Sequence, residues 1–275
     1  MVGIEWCTEL ASQILERLSE IPSLEVISDN FAPDFGYAAP QALLDAIAVR
    51  RVPVLLHSVN LSVGSLEPLN RKYVENLVYV RKLFPTAILM SDHLCLTQKD
   101  GSEIGQLTPL PYNTETLKCV VEKVRYLQDA FALPFLLENI AYAFKIPGQE
   151  YSEPDFFCRI MEETGCSLLL DLNNLYTNGV NFGEDPLEWI SQVPMDQVKA
   201  IHLAGGYYDT DGQLMDGHCS QVPDPVWSLY EHVMRQAQKP IPTIVERTGN
   251  NAELGLKPIL EDQNKARDIQ ERMLV

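Results

Sequence analysis

Basic side chains are scarce in this chain: 21 Lys and Arg stand against 38 Asp and Glu, a formal net charge of -17. A surface of that sign repels a phosphate backbone or an anionic bilayer, so neither nucleic acid nor membrane is an expected partner. Part of the acidity has another reading, because carboxylates that hold divalent metals count in this sum as bare negative charges. The chain also lacks any CxxC pair. Its six cysteines, Cys7, Cys95, Cys119, Cys158, Cys166 and Cys219, are scattered, which suits reduced thiols better than a disulfide framework and excludes a structural zinc ribbon. No apolar run is long enough to span a bilayer, and the opening MVGIEWCTEL lacks a basic region followed by an apolar stretch. The expected location is the cytoplasm. No low-complexity tract or linker breaks the pattern, so a single domain over 1–275 is expected.

What the chain does have is apolar material, 46% of residues, patterned in short runs that alternate with amphipathic stretches. The runs at 3–6, 24–28, 54–59, 87–91, 135–138, 167–172, 198–203 and 243–246 are rich in Val, Ile and Leu, as buried parallel strands are. Between them, helical stretches are expected at 8–19, 41–50, 69–83, 114–131, 153–164 and 224–238. Thr114 and Asp224 stand where N-caps belong, with Pro225 at the first helical position. Pro53, Pro134 and Pro242 each precede a strand, where a missing N–H harms no ladder. Strand and helix alternating in this way specify an α/β fold, a (β/α)8 TIM barrel. The long irregular piece 96–113, with Gly101, Gly105, Pro109 and Pro111, reads as a lid or substrate loop.

Chemistry-bearing residues cluster where these strands end. His57 follows VPVLL, Asp92 and His93 follow AILMS, Glu138 ends PFLL, Asp171 and then Asn174 follow SLLL, His202 follows VKAI, and Glu246 follows PTIV. Asp216 and His218 sit in the loop between the last two strands. Taken singly, a His at a strand end is more often a satisfied loop residue, and a Glu there a helix cap or salt-bridge partner. Four of the five His fall in this set, however, and barrel enzymes do their chemistry at the C-terminal strand ends. Neutral imidazoles, carboxylates and an amide oxygen without Cys suit Fe, Mn or Zn, and the candidates are too many for one ion. Glu138, central in the series, is placed to bridge two. The fifth His, His232, lies inside a helical stretch and carries no expected role.

With those residues placed, HSVNLS at His57, SDHLCLT at Asp92 and His93, LLENIAY at Glu138, LLLDLNNLYTNGVNFGEDP at Asp171 and Asn174, IHLAGGYYDTDG at His202, MDGHCSQVPDPVWSLYE at Asp216 and His218, and TIVERTGN at Glu246 together resemble one family. It is the DUF692 family of multinuclear non-haem iron-dependent oxidative enzymes (MNIO), which includes the methanobactin biosynthesis oxidase and the 3-thiaglutamate pathway oxidase. The resemblance implies a barrel of the xylose-isomerase-like type holding two or three iron ions (Fe2+/Fe3+), with O2 as co-substrate. The implied substrate is a ribosomally made precursor peptide, modified at a Cys in RiPP biosynthesis. A small leader-peptide-binding protein is the implied partner, forming a heterodimer. In family terms Glu138, Asp171, His202 and Glu246 hold one iron. His57 and His93 with the bridging Glu138 hold a second, which Asp92 joins or supports, and Asn174, Asp216 and His218 hold a third. Glu138, His57 and His202 are the expected catalytic residues. The family's acidic-Thr-His triplet reads Asp216, Gly217, His218 here, and its Glu-Arg-Asp reads Glu246, Arg247, Thr248. The competing reading is a metal-dependent hydrolase or isomerase on the same kind of barrel.

Overall fold

The computed structural model describes residues 1–35, 40–249 and 254–273. Asn250, at the end of the TIVERTGN motif, lies outside them. The short apolar runs form the strands β1 (Val2–Glu5), β2 (Leu24–Ile27), β3 (Val54–His57) and β4 (Ala87–His93). Two further strands, β5 (Leu96–Lys99) and β6 (Ser102–Thr108), lie between β4 and β7 (Phe135–Glu138). The series continues with β8 (Ser167–Asp171), β9 (Val198–Leu203), β10 (Tyr207–Tyr208), β11 (Leu214–Met215) and β12 (Thr243–Val245). Eight of them close a barrel in the order β1, β12, β9, β8, β7, β4, β3, β2. The registers of β1 with β2 and β12, of β9 with β12, and of β4 with β3 and β7 are parallel. This is the eight-stranded α/β barrel that the alternation of strand and helix implies. Among the described residues no helix is long and apolar enough to cross a membrane.

The chain divides into two compact units, residues 26–168 and residues 1–25 with 169–275. In the first, α2 (Gln41–Arg50) and α3 (Arg71–Leu83) follow β2 and β3, and α4 (Thr114–Phe131) and α5 (Glu153–Thr164) follow β6 and β7. The α4 helix buries Leu117, Val120, Val121, Val124, Leu127 and Phe131, the three-and-four spacing that lays one apolar face on a sheet. Its N-cap is Asn113, whose side chain accepts the Thr116 amide at 2.9 Å; Thr114, read as the cap, is the first helical residue. The 96–113 segment is likewise more regular than its glycines suggested, because β5 and β6 pair as an antiparallel hairpin. Asp100 (φ 52°) and Gly101 (φ 73°) both take left-handed backbone in the turn, the Asp-Gly signature of a tight hairpin turn.

In the other unit the expected helix at 8–19 is broken into a 3-10 turn at Thr8–Leu10, α1 (Ala11–Glu16) and a second 3-10 turn at Leu18–Glu20, with no side-chain cap at either end of α1. A run this short has too few propagating turns to overcome its nucleation cost without a cap. Helix α6 (Leu172–Phe182) rises from NNLYTNGVNF, a sequence with poor helix propensity, because the Asp171 side chain caps it by accepting the Asn174 amide at 2.6 Å. After α7 (Pro186–Ser191), α8 (Asp224–Ala237) begins at Asp224 itself, with Pro223 as the N-cap residue, and α9 (Lys257–Met273) ends the described chain. Gly205 and Gly206 serve close approach and not a left-handed turn. A Cβ on Gly205 would lie 2.3 Å from the Gln221 carbonyl oxygen, and one on Gly206 would lie 2.0 Å from that of Met215.

Candidate metal centre

In the 26–168 unit, His57, His93 and Glu138 each end a strand, and parallel pairing sets His93 directly beside Glu138 and Ser91 beside His57. All three ligand candidates are buried. The Nε2 atoms of both imidazoles stand 3.4 Å from the same Glu138 oxygen, Oε2, with the two rings edge-on at a centroid distance of 4.7 Å. The His57 tautomer follows from its other nitrogen. Nδ1 is 2.9 Å from Ser91 Oγ, and that hydroxyl donates to the Leu56 carbonyl oxygen, so it accepts from Nδ1–H and leaves the Nε2 lone pair facing Glu138. A lone pair opposite a carboxylate oxygen is repulsive unless a cation sits between them. Ligands bonded at about 2.1 Å in a tetrahedral shell lie about 3.4 Å apart, so the spacing fits a first-row metal. Ser91→Ala is expected to weaken metal binding roughly tenfold by releasing the His57 ring; a titration giving wild-type affinity would show that Ser91 does not set it.

Asp92 stands apart from that triad. Its Oδ2 accepts from Ser58 Oγ at 2.7 Å and from the Leu61 amide at 3.1 Å. Asp29, which sequence reasoning passed over, accepts from Tyr73 Oη at 2.6 Å and from the Val59 amide at 3.2 Å. The two carboxylates thereby pin the 58–61 stretch that follows His57. Burial pushes both above the ordinary carboxyl range, opposed by these hydrogen bonds. Cys95 is fully buried, and burial with the Asp92 and Glu138 charges drives its thiol well up, so it stays protonated and is a poor ligand.

In the unit of residues 1–25 and 169–275, His202 is flanked by acids on both nitrogens. Nε2 is 2.9 Å from Glu25 Oε2, while Nδ1 is 3.1 Å from Glu246 Oε2 and 3.9 Å from Asp171 Oδ2. A carboxylate on the far nitrogen is the pairing that orients a metal-binding imidazole: with Glu25 accepting from Nε2–H, the Nδ1 lone pair could join Glu246 and Asp171 in holding a cation. His218, held in left-handed backbone (φ 45°), brings Nε2 to 2.8 Å from Asp216 Oδ1 and 3.9 Å from Glu246 Oε2. Burial alone would lower this imidazole, but the neighbouring Asp216 and Glu246 charges prevail and hold it well above its usual value. Asp216 Oδ1 also accepts from Asn173 Nδ2 at 2.6 Å, and Asn174 engages Asp171 through its backbone amide at 2.6 Å.

Ligand atoms of Glu25, His202 and Glu246, and those of Glu5, His218 and Glu246, lie within 4.8 Å of one another, as do those of His57, His93 and Glu138. Among the described residues neither Asp216 nor Asp92 joins such a group of three. Glu5 and Glu25 were missed from the sequence because they sit inside runs read for their apolar residues. The available signal was a bare acid within VGIE and LEVI, which a strand buried on both faces does not tolerate without a partner.

A family model described as RiPP precursor modification enzyme MbnB/TglH/ChrH matches residues 1–271. A UPF0276 protein of Acaryochloris marina is 35% identical over 245 residues, 89% of this chain and 86% of that protein. One of Anaeromyxobacter sp. is 33% identical over 263 residues, 94% and 90% of the respective chains. Among solved structures, D-psicose 3-epimerase from Clostridium cellulolyticum matches with a TM-score of 0.62 at 13% identity over 99% of both chains. Endonuclease IV from Thermus thermophilus matches with a TM-score of 0.60 at 17% identity, over 99% of this chain and 98% of the other. At such identities the structural likeness speaks for the fold alone, a barrel of the xylose-isomerase-like type.

Proposed function

Because this chain belongs to the MbnB/TglH/ChrH family of RiPP precursor modification enzymes, and is therefore an enzyme that acts on a peptide, we propose that it oxidises a cysteine of a ribosomally synthesised precursor using iron and O2. The observation that carries this reading is the donor set. Each of the groups joins imidazole nitrogen to carboxylate oxygen, and among the described residues no cysteine takes part, a combination that suits ferrous and ferric ions. In this proposal His57, His93 and Glu138 hold one ion, with Asp92 behind them. Asp171, His202 and Glu246 would hold another, and Asn174, Asp216 and His218 would hold a third. Bound iron would supply Lewis acidity for the substrate thiolate and a route for its electrons to O2, which is reduced as the cysteine is oxidised.

The chain's own residues do the positioning. Ser91 and Glu25 fix the two imidazoles His57 and His202 through their far nitrogens, so neither ring has to reorganise as charge develops. Tyr207 and Tyr208 are exposed on β10 next to the His218 loop, with Tyr207 packed so closely that a Cβ on Gly217 would meet its ring at 2.6 Å. In this proposal those rings line the path of the peptide. A small leader-binding partner protein in a heterodimer completes the proposal, and the cytoplasm is its location.

The test is mass spectrometry of a cysteine-containing precursor co-expressed with this protein, in air and without oxygen. A mass change that needs both the protein and O2, with iron in the purified enzyme, is the expected result. Zinc content together with activity that persists without oxygen would instead favour a hydrolase or isomerase.

A further inference from the structure

The family-derived ligand sets leave out Glu5, the last residue of β1. Its carboxylate is only 7% exposed, and Oε2 has no hydrogen-bond partner among the described residues. Its neighbours are acidic: parallel pairing sets it beside Glu25, which is fully buried, and Glu246, 4% exposed, shares a three-ligand group with it. Three dehydrated carboxylates in one neighbourhood repel one another strongly in a low-dielectric interior, and a divalent cation is the usual remedy.

We propose that Glu5, His218 and Glu246 hold a borderline-to-hard divalent cation, with Glu5 supplying a carboxylate ligand that the family assignment leaves out. Ligand atoms of the three residues already lie within 4.8 Å of one another. Asp216, whose Oδ1 accepts from Asn173 at 2.6 Å, belongs to no such group of three among the described residues. His218 Nε2, 2.8 Å from that oxygen and 3.9 Å from Glu246 Oε2, faces carboxylates on both sides. The left-handed backbone of His218 costs on the order of 1 kcal/mol for a side chain of this kind, and a bound ion gives that conformation a use. This inference rests on the metal-centre part of the proposed function and is independent of the peptide chemistry.

Metal content of the purified full-length chain, without any peptide, tests it. The protein is loaded anaerobically with Fe2+, or with Mn2+ as a redox-stable stand-in, desalted and analysed for ions per chain. Glu5→Gln keeps size and polarity but not charge; it and His218→Ala should each lose about one ion per chain, and the double variant no more than either alone. His57→Ala should lose a different ion, so that combining it with Glu5→Gln lowers the content further. Glu5→Asp should retain the ion with an affinity reduced about tenfold or more. Full metal content at unchanged affinity in Glu5→Gln would overturn the proposal, because a neutral amide oxygen binds a divalent cation far more weakly than a carboxylate and cannot offset its charge. If Glu5→Gln does not fold, unchanged affinity in Glu5→Asp overturns it equally. A wild-type chain that takes up no metal would sink the metal centre as a whole, whereas normal uptake by Glu5→Gln would sink only the role of Glu5.

Discussion

Alanine at His57, Glu138 or His202 is expected to lower iron content and to abolish the precursor's mass change, while His232→Ala leaves both at the wild-type level. The contrast controls for the removal of an imidazole as such. His57 and His202 are buried with carboxylates 3.4 Å and 3.1 Å from a ring nitrogen. His232 lies on α8, where the Gln236 amide one turn on stands 2.9 Å from its Nε2. Glu138→Ala should be at least as severe as either His variant, since both His57 and His93 converge on its Oε2. Loss of even an orienting partner of a metal ligand costs about 10–100-fold in affinity or activity, and loss of a ligand costs more. Metal analysis paired with mass spectrometry of the co-expressed precursor reads both effects. Equal behaviour of all four variants would end the site assignment.

The strands were legible because each is a short β-branched or leucine-rich run bounded by polar turns, and Pro53, Pro134 and Pro242 mark three of their starts. Parallel strands buried on both faces have few other ways to look. Helix α6 was not legible: its Asn residues and Gly179 argue for a loop, and the Asp171 cap that starts it looked like a metal ligand alone. The β5–β6 hairpin was hidden for a related reason, since two glycines and two prolines outweighed the single Asp-Gly pair that builds its turn.

At the metal centre, strand-terminal groups such as His57, His93 and Glu138 could be found because position along the chain and position at a strand end coincide for them. Glu5 and Glu25 could not. Their roles depend on what lies across the neighbouring strand, and single-sequence periodicity carries no information about register. Ser91 and Asp29 were passed over on the same ground: each acts through a hydrogen bond to a residue 30 or more positions away.

Stripping the metal is expected to destabilise the whole protein, and the burial of its acids sets the size of the effect. Glu25, Asp171 and Glu246 surround His202, and Glu5 lies beside Glu25, all with little or no exposure. Without a cation these groups must share protons or repel. Burial and the nearby Glu246 and Glu25 charges already push the Glu5 carboxyl up to about 8. An ion bound to the folded chain and not to the unfolded one stabilises by about 4 kcal/mol when its concentration is a thousand times its dissociation constant. For a chain of this size that corresponds to a melting temperature roughly 10 °C higher. Thermal unfolding in excess EDTA against a matched sample with Fe2+ or Mn2+ measures it, and Glu5→Gln should show a smaller gap between the two curves than wild type. Coincident curves for wild-type protein would mean that these carboxylates are held by protons and hydrogen bonds alone, and the ferrous assignment would lose its physical basis.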